Sequence, residues 1–144
     1  MSLSSDLEAL FKNPPAAEDA VIQKWTDAMT NYTPGVTPPS TAGTGAVNAF
    51  KAALTGFSQA NQAATDLENA FKAWAAALAL GMITGTITGS TPPSGQVTFS
   101  SLFSNPIANA TTRASDIAGK VNTWVATGVT TTAAGAGPPW APPP

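Results

Sequence analysis

The sequence predicts a mainly α-helical chain: a small bundle of four to five helices with extended Thr/Pro-rich arms and a proline-rich C-terminal tail. Three observations predict it. Apolar residues recur at helical spacing in several stretches, each bounded by Pro or Gly. Between and after these stretches lie Thr-rich runs of β-branched residues that suit extended backbone. The closing segment Pro138-Pro139-Trp140-Ala141-Pro142-Pro143-Pro144 favours polyproline II geometry. The division that follows is a helical domain over 1–128, with long loops at 33–45 and 82–105, and an extended C-terminal arm over 129–144.

Each element has its own local reason. Ser5 and Glu8 stand at capping-box spacing, and Leu3, Leu7, Leu10 and Phe11 gather on one side, which predicts a short first helix. Asn13-Pro14-Pro15 ends it and opens the next, with Asn as N-cap and Pro in the first turn. Glu18 and Asp19 follow where the helix dipole favours acids. Val21, Trp25, Ala28, Met29 and Tyr32 form the apolar stripe of that second helix. Thr33-Pro34-Gly35 stops it, and the Pro- and Gly-rich stretch to Gly45 is expected to be irregular.

The strongest periodicity follows. Val47, Phe50, Leu54 and Phe57 step by 3, 4 and 3, and Leu67, Phe71, Trp74 and Leu78 by 4, 3 and 4, with Ala60 and Ala64 between them. The pentapeptide Asn-Ala-Phe-Lys-Ala occurs at 48–52 and again at 69–73. Its offset of 21 residues is three heptads, so on one long helix both copies would face the same way. Alternatively Gly56 and the polar run Ser58-Gln59-Ala60-Asn61-Gln62 break the pattern into two antiparallel helices. Two helices, or one strongly bent, is the favoured reading, since so long an uninterrupted helix is unusual.

Beyond Gly81 the period changes to two. Ile83-Thr84-Gly85-Thr86-Ile87-Thr88 predicts a short strand or extended arm, which Thr91-Pro92-Pro93-Ser94-Gly95 ends. Val97, Phe99, Leu102 and Phe103 anchor an irregular stretch. Asn105-Pro106 repeats the earlier cap logic and opens a last helix carrying Ile107, Ala110, Ala114, Ile117, Val121 and Trp124, with Gly128 as its stop. Val129-Thr130-Thr131-Thr132 is a second extended candidate. Three times an aromatic-bearing helix leads to a Pro-Pro pair, from Trp25, Trp74 and Trp124 in turn, so the helices are expected to present extended arms.

Composition bounds the chemistry. The chain has no cysteine and no histidine, which excludes disulfides, thiolate metal sites and catalysis by either residue. With 6 basic and 8 acidic side chains, a basic face for nucleic acid is not expected. Glu18-Asp19 and Asp66/Glu68 are the closest carboxylate groupings, and neither has a partner that would split acid and base roles. Gly119-Lys120 and Gly43-Thr44-Gly45 lack the context of a phosphate loop, so no cofactor, metal or small-molecule substrate is expected. The apolar run from Ala73 to Ile83 is too short to span a bilayer, which takes about 20 residues. The start, Met1-Ser2-Leu3-Ser4-Ser5-Asp6, lacks the basic and apolar regions of a secretory signal.

Ala, Thr, Ser, Gly and Pro make up 84 of the 144 residues, against 26 Leu, Ile, Val and Phe, which leaves a thin core. Between Lys72 and Arg113 lie 40 residues without charge, and none follows Lys120. A free surface normally carries mixed charge, so this neutral, Thr- and Pro-rich half is expected to be either flexible or covered by partners, the covered reading being favoured. Trp25, Trp74 and Trp124 fall on apolar helix faces and are expected in the core. Trp140, held in a stiff proline frame, is expected to act as a docking peg. The partner-binding positions are then Ile83, Ile87 and Val129 on the arms, and Pro138, Pro139, Trp140 and Pro142 on the tail.

The stretch Trp124-Val125-Ala126-Thr127-Gly128-Val129-Thr130-Thr131-Thr132 resembles the tails of small structural proteins of tailed-bacteriophage virions, in which a helix ends in a Thr-Gly-Val-Thr-like extension. Leu80-Gly81-Met82-Ile83-Thr84-Gly85-Thr86-Ile87-Thr88 is a second, looser occurrence. The resemblance implies a non-enzymatic head, neck, tail or baseplate component, located in a virion assembled in the host cytoplasm. Its partners would be other virion or assembly proteins, in multiple copies of a symmetric assembly. Two other classes compete: a secreted or envelope-associated helical module binding a cell-surface partner, and a small hydrolase working through the paired carboxylates.

Overall fold

Five α-helices and a three-stranded antiparallel sheet are present among the described residues of the computed structural model, which are 2–54, 63–95, 97–99 and 109–144. Helix α1 (Leu3–Lys12) starts at a capping box, but the box is Ser2 with Ser5. The Ser5 amide donates to Ser2 Oγ and the Ser2 amide to Ser5 Oγ, both at 3.2 Å. Glu8, expected in that box, instead pairs with Lys12 at 2.5 Å and accepts from Thr111 Oγ1 at 2.9 Å. These two hydrogen bonds, Lys12 first, hold its carboxyl below the usual range. Leu3, Leu7 and Leu10 are buried, and the helix packs chiefly on the last helix.

Helix α2 (Glu18–Tyr32) begins after Ala17, so Asn13 is not its cap and both prolines lie ahead of it. Asn13 instead closes α1, its amide bonding to Ala9 O. The acids Glu18 and Asp19 still occupy the first turn. Ile22, Trp25, Thr26, Ala28, Met29 and Tyr32 are buried; Val21 only flanks that stripe. The segment expected to be irregular holds a 3-10 turn at Thr33–Gly35, and α3 (Gly43–Ala53) begins inside it. Gly43-Thr44-Gly45 is therefore the first turn of α3.

Helix α4 (Ala63–Gly81) folds back along α3. The Thr41 amide donates to Gly81 O at 3.0 Å and Ser40 Oγ to Leu78 O at 2.7 Å, so the start of α3 meets the end of α4. Phe50 and Phe71, the same position in the two pentapeptides, meet edge-on with centroids 5.0 Å apart. On one straight helix, 21 residues would hold them roughly 30 Å apart. The two-helix reading is the one observed, and the repeat faces itself across the hairpin. Gly56 and Ser58-Gln59-Ala60-Asn61-Gln62, offered as the break, lie outside the described residues.

Helix α5 (Ala110–Val125) is capped by Asn109, whose Oδ1 accepts from the Thr112 amide at 2.8 Å. Asn105-Pro106 and Ile107, expected to open this helix, lie outside the described residues, as do Leu102 and Phe103. Ala114, Ile117, Val121 and Trp124 are buried as their spacing predicts. Strand β1 (Ile87–Thr91) starts four residues later than the alternation from Ile83, because residues 84–87 make a turn closed by the Ile87 amide on Thr84 O. Strand β2 (Val129–Thr132) is where the sequence places it, and β3 (Gly135–Ala136) follows through a two-residue turn. The order is β1-β2-β3, with Thr91 opposite Val129 and an irregularity between Ile87 and Gly89. The two extended segments thus pair with each other.

Phe71 is the hub of the core. Its ring lies 5.0 Å from Phe50, 5.6 Å from Phe99, and 6.5 Å from both Trp74 and Trp124. Aromatic pairs in such tilted and edge-on geometry add to the stabilisation from burial alone. Tyr32 ties α2 to α5, its hydroxyl donating to Asn122 Oδ1 at 2.8 Å, and burial pushes its pKa above the ordinary tyrosine value.

Phe71→Ala is expected to destabilise the chain by about 3–5 kcal/mol, whereas truncating the exposed Leu80 should change it by less than about 0.5 kcal/mol; urea unfolding measures both. Because the folded Tyr32 holds its proton more tightly than the unfolded chain, its contribution is full below the unfolded value near pH 10 and falls as pH rises above it. Tyr32→Phe should cost about 1 kcal/mol at neutral pH and flatten that alkaline decline, followed by unfolding at pH 7 and pH 11.

Candidate functional site

The carboxylate groupings are the sequence's nearest approach to catalytic chemistry. Glu18 and Asp19 sit in the first turn of α2, and Asp66 in the first turn of α4. Glu68 accepts the Phe99 amide at 2.7 Å, which fastens the segment at 97–99 to α4. Among the described residues, no three of Asp, Glu, His or Cys converge on a point where a metal ion would sit. No helix there is long and apolar enough to cross a membrane.

The proposed arms and tail occupy one connected region. Ile83 follows α4 and is 45% exposed; Val129 opens β2 and is 49% exposed. Ile87, at the start of β1, is half-buried. Pro138 and Pro139 are exposed and Pro142 is half-buried. Together with Leu80, Ile83 and Val129 are the exposed large apolar side chains among the described residues.

Trp140 is the correction. Expected as a peg seated on another subunit, its indole is 1% exposed and seated in this chain's own core. The physical reason is a slot that satisfies both halves of the side chain. Gly128, with no side chain, leaves room for the ring; a Cβ there would run into the indole. Trp140 Nε1 donates to Ser90 Oγ at 3.0 Å, so burial leaves no donor unpaired.

Backbone contacts fix the rest of the tail. The Trp140 amide donates to Gly128 O at 3.0 Å. The Gly137 amide donates to Thr130 O at 2.9 Å, and Thr130 Oγ1 donates to Pro138 O at 2.6 Å. Thr37 and Ala141 form an antiparallel bridge through bonds of 3.0 and 2.8 Å. Pro143 then lies against Gly35, so closely that a Cβ on that glycine would overlap its ring. Residues 129–144 therefore run back over the helices rather than away from them.

Sequence reasoning named the tail residues but missed the slot. Ser90 and Thr37 lie 50 and 104 positions from their partners and carry no local signal. Gly128 was legible as a helix stop, yet α5 ends at Val125, and the glycine serves the close approach of the indole. The region formed by 73–95 and 121–144 bears no ionisable side chain. It presents hydroxyl groups and the exposed apolar side chains of Leu80, Ile83 and Val129.

Compared with known proteins, the chain matches no family model, no curated protein and no solved structure.

Gly128→Ala is expected to lift Trp140 from its slot and cost about 1–3 kcal/mol, read as a red shift of tryptophan emission together with a lower unfolding midpoint. Gly119→Ala, in α5 where an added Cβ meets nothing within 4 Å, is the control. It should instead stabilise by about 0.5–1 kcal/mol.

Proposed function

We propose that this chain is a non-enzymatic structural subunit of a large assembly, and specifically of a tailed-phage virion. The observation that carries the assembly reading is the uncharged region made by the end of α4, the sheet and the tail, with Leu80, Ile83 and Val129 exposed on it. A surface left permanently in water is normally interspersed with both signs of charge. Here those charges are confined to other parts of the chain, and the neutral region carries hydroxyls and apolar groups suited to burial. The helices hold the region in shape, and neighbouring subunits cover it. The narrower placement in a virion rests on the stretches Leu80–Thr88 and Trp124–Thr132, which resemble small virion proteins.

The test uses Ile83→Lys and Val129→Lys, both at exposed positions where the fold tolerates a charge. Each is expected to leave the unfolding midpoint within about 0.5 kcal/mol of the parent while reducing incorporation into particles by about tenfold, since a buried unpaired charge is costly at an interface. Quantitative mass spectrometry of purified particles supplies the readout. A parent chain absent from particles, and monomeric in sedimentation at every concentration, would sink the proposal.

A further inference from the structure

The C-terminal slot has a property that the assembly reading does not require. Its occupant is a segment of the same chain, joined to the fold through a single exposed turn. Residues Ala133 and Ala134 form the two-residue connection between β2 and β3, and everything beyond them docks onto surfaces built before them. Gly128, Ser90 and Thr130 receive Trp140 and Pro138, and Thr37 receives Ala141. None of these contacts depends on which copy supplies the tail.

We propose that residues 135–144 exchange between copies of this chain, the tail of one copy filling the slot of the next. The occupant is a second copy because its tail carries the same indole, the same amides and the same proline frame, and would make every contact seen within one chain. Such exchange of an identical element is a low-cost route to association. Three features favour it here. The proline frame keeps its shape when undocked, so little conformational freedom is lost on redocking. The region around the slot carries no charge that would repel a second copy. Val129, which stands between the two slot residues Gly128 and Thr130, stays exposed in the closed chain and becomes coverable when two copies meet there. The link reaches by straightening the Ala133-Ala134 turn, which converts the hairpin into one extended segment. Head-to-tail exchange of this kind closes into a ring or grows as a filament according to the angle between copies. This inference rests on the assembly reading and gives it a mechanism.

Because the chain has no cysteine, introduced thiols report without interference. Thr37 is exposed and Ala141 half-buried, and the two face each other in the antiparallel bridge. Thr37→Cys and Ala141→Cys are made in separate full-length chains, mixed under mild oxidation, and resolved on a non-reducing gel. A chain carrying both substitutions, oxidised while dilute, confirms that the bridge geometry closes a disulfide. In the mixture no disulfide can form within one chain. Exchange is expected to give the crossed dimer in about tenfold excess over either like dimer, because docking raises the local thiol concentration, and to increase with protein concentration. A crossed dimer at no more than its statistical share overturns the exchange. Sedimentation of the same parent chain separates the two ideas. The absence of crossed dimers overturns exchange alone where the parent chain associates or enters particles, and overturns the assembly reading as well where that chain is monomeric and absent from particles.

Discussion

The ring of Phe71 is where the separate parts of this chain become one core. It meets Phe50 across the α3–α4 hairpin, Trp74 one turn along its own helix, Trp124 from α5, and Phe99 from the segment that Glu68 fastens. Only 26 of 144 residues are Leu, Ile, Val or Phe, so burial must come from few, large contacts rather than from many small ones. Alanines on the helices let the backbones approach, and the aromatic rings fill what remains. The hairpin, the last helix and the loop at 97–99 all depend on that shared contact.

The same scarcity explains the work done by hydroxyl groups. Buried indoles need acceptors, and the chain has few charged side chains to provide them. Trp74 Nε1 donates to Thr33 Oγ1 at 3.0 Å, and Thr33 in turn donates to Met29 O at 2.6 Å. Trp140 uses Ser90 in the same way, and Thr130 Oγ1 donates a hydrogen bond to Pro138 O. A neutral acceptor costs less to bury than a carboxylate, so Thr and Ser fit a core that must remain uncharged. The high threonine content is therefore partly structural: some of it lies at the points where helices, sheet and tail are joined.

Those joints also define what faces outward. With the tail docked, the chain buries Trp140 in its own fold, and the large apolar side chains left exposed among the described residues are Leu80, Ile83 and Val129.

Much of this was legible in the residues. The 3-and-4 spacing of Leu67, Phe71, Trp74 and Leu78, and that of Ala114, Ile117, Val121 and Trp124, fixed which helix faces are buried, because helix geometry leaves no other face for them. The β-branched run at Val129–Thr132 marked a strand. Local signals failed where two candidates compete over a few positions: Ser2 took the cap from Ser5, Ala17 replaced Asn13, and a turn at 84–87 delayed β1. Composition and charge placement by themselves determined that the core is small and aromatic and that 73–112 and 121–144 carry no charged side chain. Only the tertiary structure decided that Phe50 meets Phe71 and that Trp140 turns inward onto Gly128 and Ser90. The reason is physical: periodicity specifies which face of an element is apolar, but the partner of a buried ring or amide is set by packing across tens of residues.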